Sequence, residues 1–482
     1  MSNKIMNLKS KYTNLPVAAK ATLWFMICSV LQKGISVITT PIFTRLMSTT
    51  QYGQFNIYNS WLQIITIATT LRLNYAVFNK GMSKFKERRD DYTSTMQSIT
   101  FLLSLSCLLL YFIFRESVNN ITELPTYIMI AIFGELMFTP AIEFWSLRKR
   151  YEYQYKPVVY RTLVMAILNA VIGIIVVFFT EEKGYSRIIS CVGVNLLFGI
   201  WLFIVNRKRS KIWIDKELAK FAILFNIPLL IHYLSQYILD QFDRIMIQKM
   251  VNIAAAGIYG VAYNMGMLMK IVTQSINHAI VPWQYEKLEK KEFKKLDDTL
   301  FWIYVLVAVV AFLLSCFAPE IMRVLAPERY YEGVYCITPV ALGLVFSFMY
   351  STFANVEFYY NLNKFTMYVS IVGALSNILL NYIFIQKYGY VAAAYTTLFC
   401  YALFALCHYI YITVSLKKQF SIKHIFEPQR LIILSICIVA LGVLVIQLYT
   451  KTLLRYGFVI SIFIIVLIKH KEIFKLFSDI RK

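Results

Sequence analysis

About fourteen apolar stretches, each near the length of a bilayer crossing, follow one another along this chain with only short polar links between them. A helix needs about 20 mostly apolar residues to cross the hydrocarbon core. A lipid-exposed segment must also satisfy its backbone internally, so the pattern predicts an all-α polytopic membrane protein. The expected spans are 17–45, 52–78, 93–114, 124–147, 157–179, 187–206, 220–247, 253–281, 299–318, 333–358, 366–386, 390–414, 430–449 and 453–468. Composition agrees: 16% of the residues are charged, against roughly 25% in a soluble domain.

The lysines and arginines gather in alternate links. They follow the second span (Lys80, Lys84, Lys86, Arg88, Arg89), the fourth (Arg148, Lys149, Arg150, Lys156) and the sixth (Arg207, Lys208, Arg209, Lys211, Lys216, Lys220). They recur after the eighth (Lys287, Lys290, Lys291, Lys294, Lys295) and the twelfth (Lys417, Lys418, Lys423), while the tenth link offers Lys364 alone. Odd-numbered links carry one or two each. By the positive-inside rule both termini face the cytoplasm, as an even number of spans requires. Basic loops beside anionic headgroups account for the net charge of +23 without nucleic acid. The first twenty residues are polar and lack a small-residue cleavage site before an apolar core, so no cleavable signal is expected. Eight scattered cysteines form no Cys-x-x-Cys pair; they read as small core residues, not disulfides or zinc ligands.

Several function classes are disfavoured. No odd-numbered link is long enough for an extracytoplasmic catalytic domain of a membrane glycosyltransferase or polymerase. The longest, 319–332, mixes Glu320, Glu328 and Glu332 with Arg323 and Arg329 and reads as a solvated loop. There is no Walker sequence, no Ser-His-Asp or His-Glu-x-x-His arrangement on one element, and no metal site. A non-enzymatic secondary transporter is expected.

Transporters of this kind are commonly built from two related halves. Tyr52-Gly53-Gln54-Phe55 with Tyr58 is echoed by Ala256-Gly257-Ile258-Tyr259 with Tyr263, and Arg45 and Arg244 stand upstream of each. The expected organisation is a cytoplasmic segment (1–16), a six-helix bundle (17–206), a basic linker (207–219) and a second bundle (220–414). A linker (415–429), two additional helices (430–468) and a basic tail (469–482) complete it.

Charges inside spans cost at least about 2.5–3.5 kcal/mol each and normally face protein or a wet cavity. Lys33, Arg72, Arg161 and Lys270 lie within spans, as do Glu135, Glu143, Asp240, Asp243 and Glu357. Helical spacing sorts polar residues into stripes: His232, Gln236, Asp240 and Asp243; Asn264, Lys270, Gln274 and His278; Asn56, Ser60, Gln63, Thr70 and Asn74; Asn377 and Asn381. A hydrated central cavity between two bundles would use them. The four cations suit an anionic, phosphate-bearing cargo. Asp243 with Arg244 reads foremost as a structural or gating pair, Glu135 and Glu143 as partners of neighbouring basic residues, and His232 and His278 as helix contacts.

Gln32-Lys33-Gly34-Ile35-Ser36, Pro41, Arg45-Leu46 and Tyr52-Gly53 resemble the opening of polysaccharide-lipid flippases. Asp243-Arg244-x-x-Ile247 with Gly257-Ile258-Tyr259 and Ala262-Tyr263 resembles the start of their second half. These belong to the multidrug/oligosaccharidyl-lipid/polysaccharide (MOP) exporter superfamily, and the Wzx-type O-antigen, capsule and exopolysaccharide flippases are the branch resembled. The resemblance implies two six-helix bundles around a cationic cavity, alternating access, and an undecaprenyl-diphosphate-linked repeat unit carried between leaflets of the bacterial cytoplasmic membrane. On that reading Lys33, Arg72, Arg161 and Lys270 take the diphosphate. Asn56, Gln63, Asn74, Gln236, Gln274 and Asn377 contact sugars. Arg45, Asp240, Asp243, Arg244 and Glu357 serve gating or coupling to a proton or sodium gradient. No cofactor is expected; a polysaccharide polymerase and chain-length machinery are the expected protein partners. A drug or cation exporter of the same superfamily is disfavoured by the fixed positive charges. A peptidoglycan-precursor flippase would be expected to show more arginine in its first helices.

Overall fold

In the computed structural model, residues 16–362, 364–422 and 424–468 are described. The expected N-terminal segment and basic tail lie outside them, except Pro16, as does the side chain of His232. The chain forms two compact units, Met1–Leu234 and Ser235–Lys482, here units 1 and 2. Among the described residues there is no strand.

Unit 1 begins with α1 (Val17–Leu46), α2 (Thr49–Thr70), α3 (Ala76–Lys84) and α4 (Arg89–Ile113). It continues with α5 (Arg115–Thr122), α6 (Thr126–Phe138), α7 (Pro140–Tyr151), α8 (Tyr155–Phe179) and α9 (Lys183–Arg207). The bent α10 (Lys216–Met250) runs on into unit 2. Unit 2 adds α11 (Ile253–Gly266), α12 (Met269–Glu289), α13 (Phe293–Cys316) and α14 (Ala318–Leu325). Then come α15 (Val334–Tyr359), α16 (Lys364–Tyr388), α17 (Ala392–Phe420), α18 (Pro428–Gln447) and α19 (Thr452–Ile468).

Each expected span coincides with a helix or a broken pair of helices. Among the described residues 10 helices are long and apolar enough to cross a membrane, or 11 when the bent α10 counts as one span. The other three segments, 52–78, 253–281 and 453–468, are interrupted, polar or short. The second and eighth spans break: α2 gives way to α3 after Thr70, and α11 to α12 after Gly266.

One core of unit 1 lies where α3, α4 and α7 meet the first turns of α10, around Phe78, Tyr92, Phe144 and Leu218. The Phe78 and Phe144 rings meet at 5.0 Å with a tilt of 40°, and no Cβ fits at Gly81, where it would fall 2.1 Å from the Tyr92 ring. The basic linker before α10 is strapped to this core. Ser94 Oγ donates to the Ile212 carbonyl (2.7 Å), Ser210 to Asp91 (2.6 Å), and Asp215 N–H to Thr95 (3.1 Å). Asp215 accepts from the N–H groups of Glu217 and Leu218 and pairs with Arg88. The Leu218 N–H first, then the Arg88 guanidinium, hold its carboxyl below the usual range, with the Glu217 N–H adding least.

Two expectations need correction. The 319–332 segment is not a simple solvated loop. It contains α14 and a 3-10 turn, with Met322, Leu325 and Tyr330 buried, and Glu320 pairs with the buried Arg455 of α19. Charges at helical spacing there masked an apolar face. Nor are all the cysteines core residues: Cys437 on α18 is exposed.

Candidate functional site

In unit 1 the broken second span presents the first group of charges. Leu71 and Arg72 are both left-handed, with φ 46° and 51°, a conformation costing an L-residue roughly 1–2 kcal/mol. Local bonds hold it: Arg72 N–H donates to Thr70 Oγ1 (3.1 Å), and the Asn226 amide donates to the Leu71 carbonyl. The turn sets the Arg72 guanidinium 5.5 Å from the Tyr75 ring and 6.0 Å from that of Tyr233. Arg161, on α8, donates to Ser146 Oγ and lies 6.0 Å from the Trp145 ring. Glu143 is solvent-accessible and within electrostatic reach of Arg72, Arg161 and Arg150. One carboxylate therefore faces three guanidinium groups, and the cluster is net positive. Lys33 is exposed on α1 and makes no ion pair among the described residues.

Glu135 behaves differently from the basic pairing expected of it. Its buried carboxylate accepts from the Tyr58 hydroxyl and from Asn195 Nδ2 (2.7 Å). Arg187 instead packs over the rings of Phe43 (4.5 Å) and Phe55 (5.0 Å) and donates to the Asn169 carbonyl (3.2 Å). Neutral donors satisfy the carboxylate, so the helices α2, α6 and α9 are tied without an ion pair.

Unit 2 has the larger polar network. Asp243, 1% exposed, accepts from Tyr259 (2.8 Å), Asn381 (2.6 Å) and Thr397 (2.9 Å). Asn381 also donates to Asn377 (3.2 Å) and accepts from Thr396. Asp243 and Arg244 thus do not form a direct ion pair. Consecutive residues of a helix point about 100° apart, and Arg244 turns instead to the Asp240 carbonyl (3.0 Å), Gln241 Oε1 (2.8 Å) and the Tyr263 ring (4.6 Å). Lys270, just beyond the break after α11, pairs with Asp240 at 3.2 Å, and Tyr401 reaches the other carboxylate oxygen at 3.4 Å.

The remaining expected residues divide by exposure. Gln274 is exposed, and Gln63 and Gln236 are half-buried. Asn56, Asn74 and Asn377 are buried, and Asn377 belongs to the Asp243 network. Arg45 is exposed and donates to the Pro41 carbonyl of its own helix (3.0 Å). Glu357 is buried against His408 Nδ1 at 2.6 Å; His278 is exposed. His408, Asn195 and Thr397 were not singled out from sequence, and Tyr58 and Tyr259 stood out only as members of the repeat motif, not as partners of a carboxylate. Each lies on a different span from its partner carboxylate, and only helix packing brings them together.

Residues 18–287, more than half the chain, match the family described as polysaccharide biosynthesis protein. The chain belongs to that family. Residues 228–383 also match the MatE family. Among similar proteins, Lsg locus putative protein 1 of Haemophilus influenzae is 20% identical over 364 residues, covering 74% of this chain and 88% of that one. Two solved structures share the fold. The lipid II flippase MurJ in an inward closed conformation superposes with a TM-score of 0.65 at 16% identity, over 94% of this chain and 100% of MurJ. An inward-facing multidrug resistance MATE family transporter of the MOP superfamily gives a TM-score of 0.58 at 13% identity, over 83% of this chain and 99% of that one. Family and fold together make this a multi-pass membrane protein of the polysaccharide biosynthesis family that has the fold of MurJ and of the MATE transporters of the MOP superfamily.

Proposed function

We propose that the protein flips undecaprenyl-diphosphate-linked oligosaccharide repeat units from the cytoplasmic to the outer leaflet of a bacterial cytoplasmic membrane, by alternating access. The observation that carries the reading is the cluster in unit 1 in which Arg72 and Arg161, from within spans, and Arg150, from the basic link, lie within electrostatic reach of Glu143. Mid-membrane cations are expensive unless they serve a cargo, and a diphosphate is the part of such a lipid that hydrocarbon rejects. Arg72 and Arg161 take the diphosphate, with Lys33 free to join them. Lys270 contributes less, because Asp240 balances it. Gln63, Gln236 and Gln274 are the accessible sugar contacts.

Asp243 and Asp240 are the coupling candidates for a proton or sodium gradient; Arg45 and Arg244 are gating residues, and Glu357 with His408 is a second proton-accepting candidate. The basic even-numbered links support cytoplasmic termini. A polymerase and chain-length machinery would consume the flipped unit.

The test is deletion of the gene in its host, followed by leaflet-accessibility labelling and mass analysis of polyprenyl-diphosphate lipids. Finished repeat units should accumulate on the cytoplasmic side, with loss of surface polymer. Finished units reaching the outer face unpolymerised would overturn the reading in favour of a polymerase. At the site, neutralising Lys33, Arg72, Arg161 and Lys270 together should abolish complementation; intact transport would remove the cationic assignment.

A further inference from the structure

Unit 2 carries a recess of quite different chemistry. An apolar groove of about 560 Å³ lies between α16 and α17 beside their connecting turn, within the range of about 300–1,000 Å³ typical of small-molecule sites. Leu380, Phe384 and Tyr388 recur one turn apart along its α16 wall; Ala392, Tyr395 and Phe399 form the α17 wall. The packing of the two helices explains it. Away from the turn, a Cβ at Gly373 would fall 1.7 Å from the Phe404 ring, so the helices close tightly there. Near the turn, bulky aromatic side chains hold them apart, and Phe384, Tyr388, Tyr395 and Phe399 remain exposed. Both walls belong to helices long and apolar enough to cross a membrane.

An exposed apolar face on a membrane helix is ordinary. This groove has two further features. At its rim Lys387 lies 5.5 Å from the Tyr388 ring and has no carboxylate partner among the described residues; Glu332, on the neighbouring turn, accepts instead from the Tyr390 hydroxyl (3.4 Å). At its floor is the buried Thr396, whose hydroxyl donates to Asn381, itself a donor to Asp243.

We propose that this groove binds one acyl chain of an anionic phospholipid, with the lipid phosphate on Lys387. The apolar walls exclude sugar and suit a hydrocarbon chain. An unpaired lysine beside interfacial tyrosines attracts a negatively charged headgroup. A chain seated there covers Thr396 and shields the Asp243 network from water on that side. The site is separate from the proposed cargo contacts and does not depend on them.

The test uses the full-length protein in detergent, offered equimolar dioleoylphosphatidylglycerol and dioleoylphosphatidylcholine, with retained lipid counted by native mass spectrometry. Wild type should retain one phosphatidylglycerol in preference to phosphatidylcholine. Lys387→Gln should weaken that preference about fivefold, the loss of one lysine near a lipid surface. Ala392→Trp, which fills the groove, should retain neither lipid there. Unchanged retention in both variants overturns the proposal. So does displacement of the phospholipid by an equimolar polyprenyl phosphate, which would make the groove an isoprenoid site. Lys387 is exposed, so its variant decides the matter even if Ala392→Trp fails to fold.

Discussion

Units 1 and 2 each break their second helix and each bury a carboxylate against a tyrosine of that helix, but they spend their charges differently. In unit 1 the break puts Arg72 over two tyrosine rings, and its cluster has three guanidinium groups to one carboxylate. In unit 2 the break precedes Lys270, which Asp240 neutralises at 3.2 Å. The buried carboxylates differ too: Glu135 accepts from two neutral donors, Asp243 from three. A shared scaffold thus carries a net-positive face in unit 1 and a balanced, densely bonded network in unit 2. On the proposed function, attraction of an anionic cargo falls to the first and coupling to the second.

The largest test of this contrast is stability. Asp243→Ala takes the acceptor from three buried donors and Glu135→Ala from two, at up to about 1–3 kcal/mol for each donor left unmet. In thermal unfolding of the purified protein both should lower the midpoint, Asp243→Ala more. The reverse order would show that the unit 1 network is the stronger tie.

Next comes transport. Arg161→Gln should reduce flipping about tenfold or more, in line with losing one charge-assisted hydrogen bond to cargo. Lys270→Gln should cost less, and adding Asp240→Asn should recover much of that loss, because the pair is then removed whole. Equal losses for Arg161→Gln and Lys270→Gln, with no recovery, would erase the distinction between the units.

The smallest effect is acid sensitivity at the linker strapped to unit 1. The Asp215 carboxyl lies below its ordinary value of about 3.9, chiefly through the Leu218 N–H and then Arg88. A depressed folded value stabilises the protein fully above the unfolded value, and the contribution fades as pH falls through the folded one. Asp215→Asn should therefore flatten the fall in unfolding midpoint below about pH 4; an unchanged acid limb would mean the linker is held by its other bonds.

Hydropathy alone located the helices, because a lipid-facing or core-facing span must be apolar over many residues regardless of its neighbours. It read 319–332 wrongly, since eight residues of amphipathic helix interleave charges with the buried Met322 and Leu325. The intramembrane charges were visible as rare residues in apolar runs. Their partners were not. Glu135 and Asn195 are 60 positions apart, and Glu357 and His408 are 51, with nothing in the local pattern to link them.

By itself, then, the sequence determined that this chain is helical and membrane-spanning, that it carries mid-span cations, and, through its ordered motifs, which superfamily it resembles. Those properties follow from the cost of exposing polar backbone or charge to hydrocarbon, a cost each segment meets individually. Only the tertiary structure decided which charges meet. Lys270 is balanced because α10 places Asp240 beside it, whereas Arg72 and Arg161 both lie within electrostatic reach of Glu143. Pairing depends on which faces of distant helices meet, and that is set by packing across the whole unit.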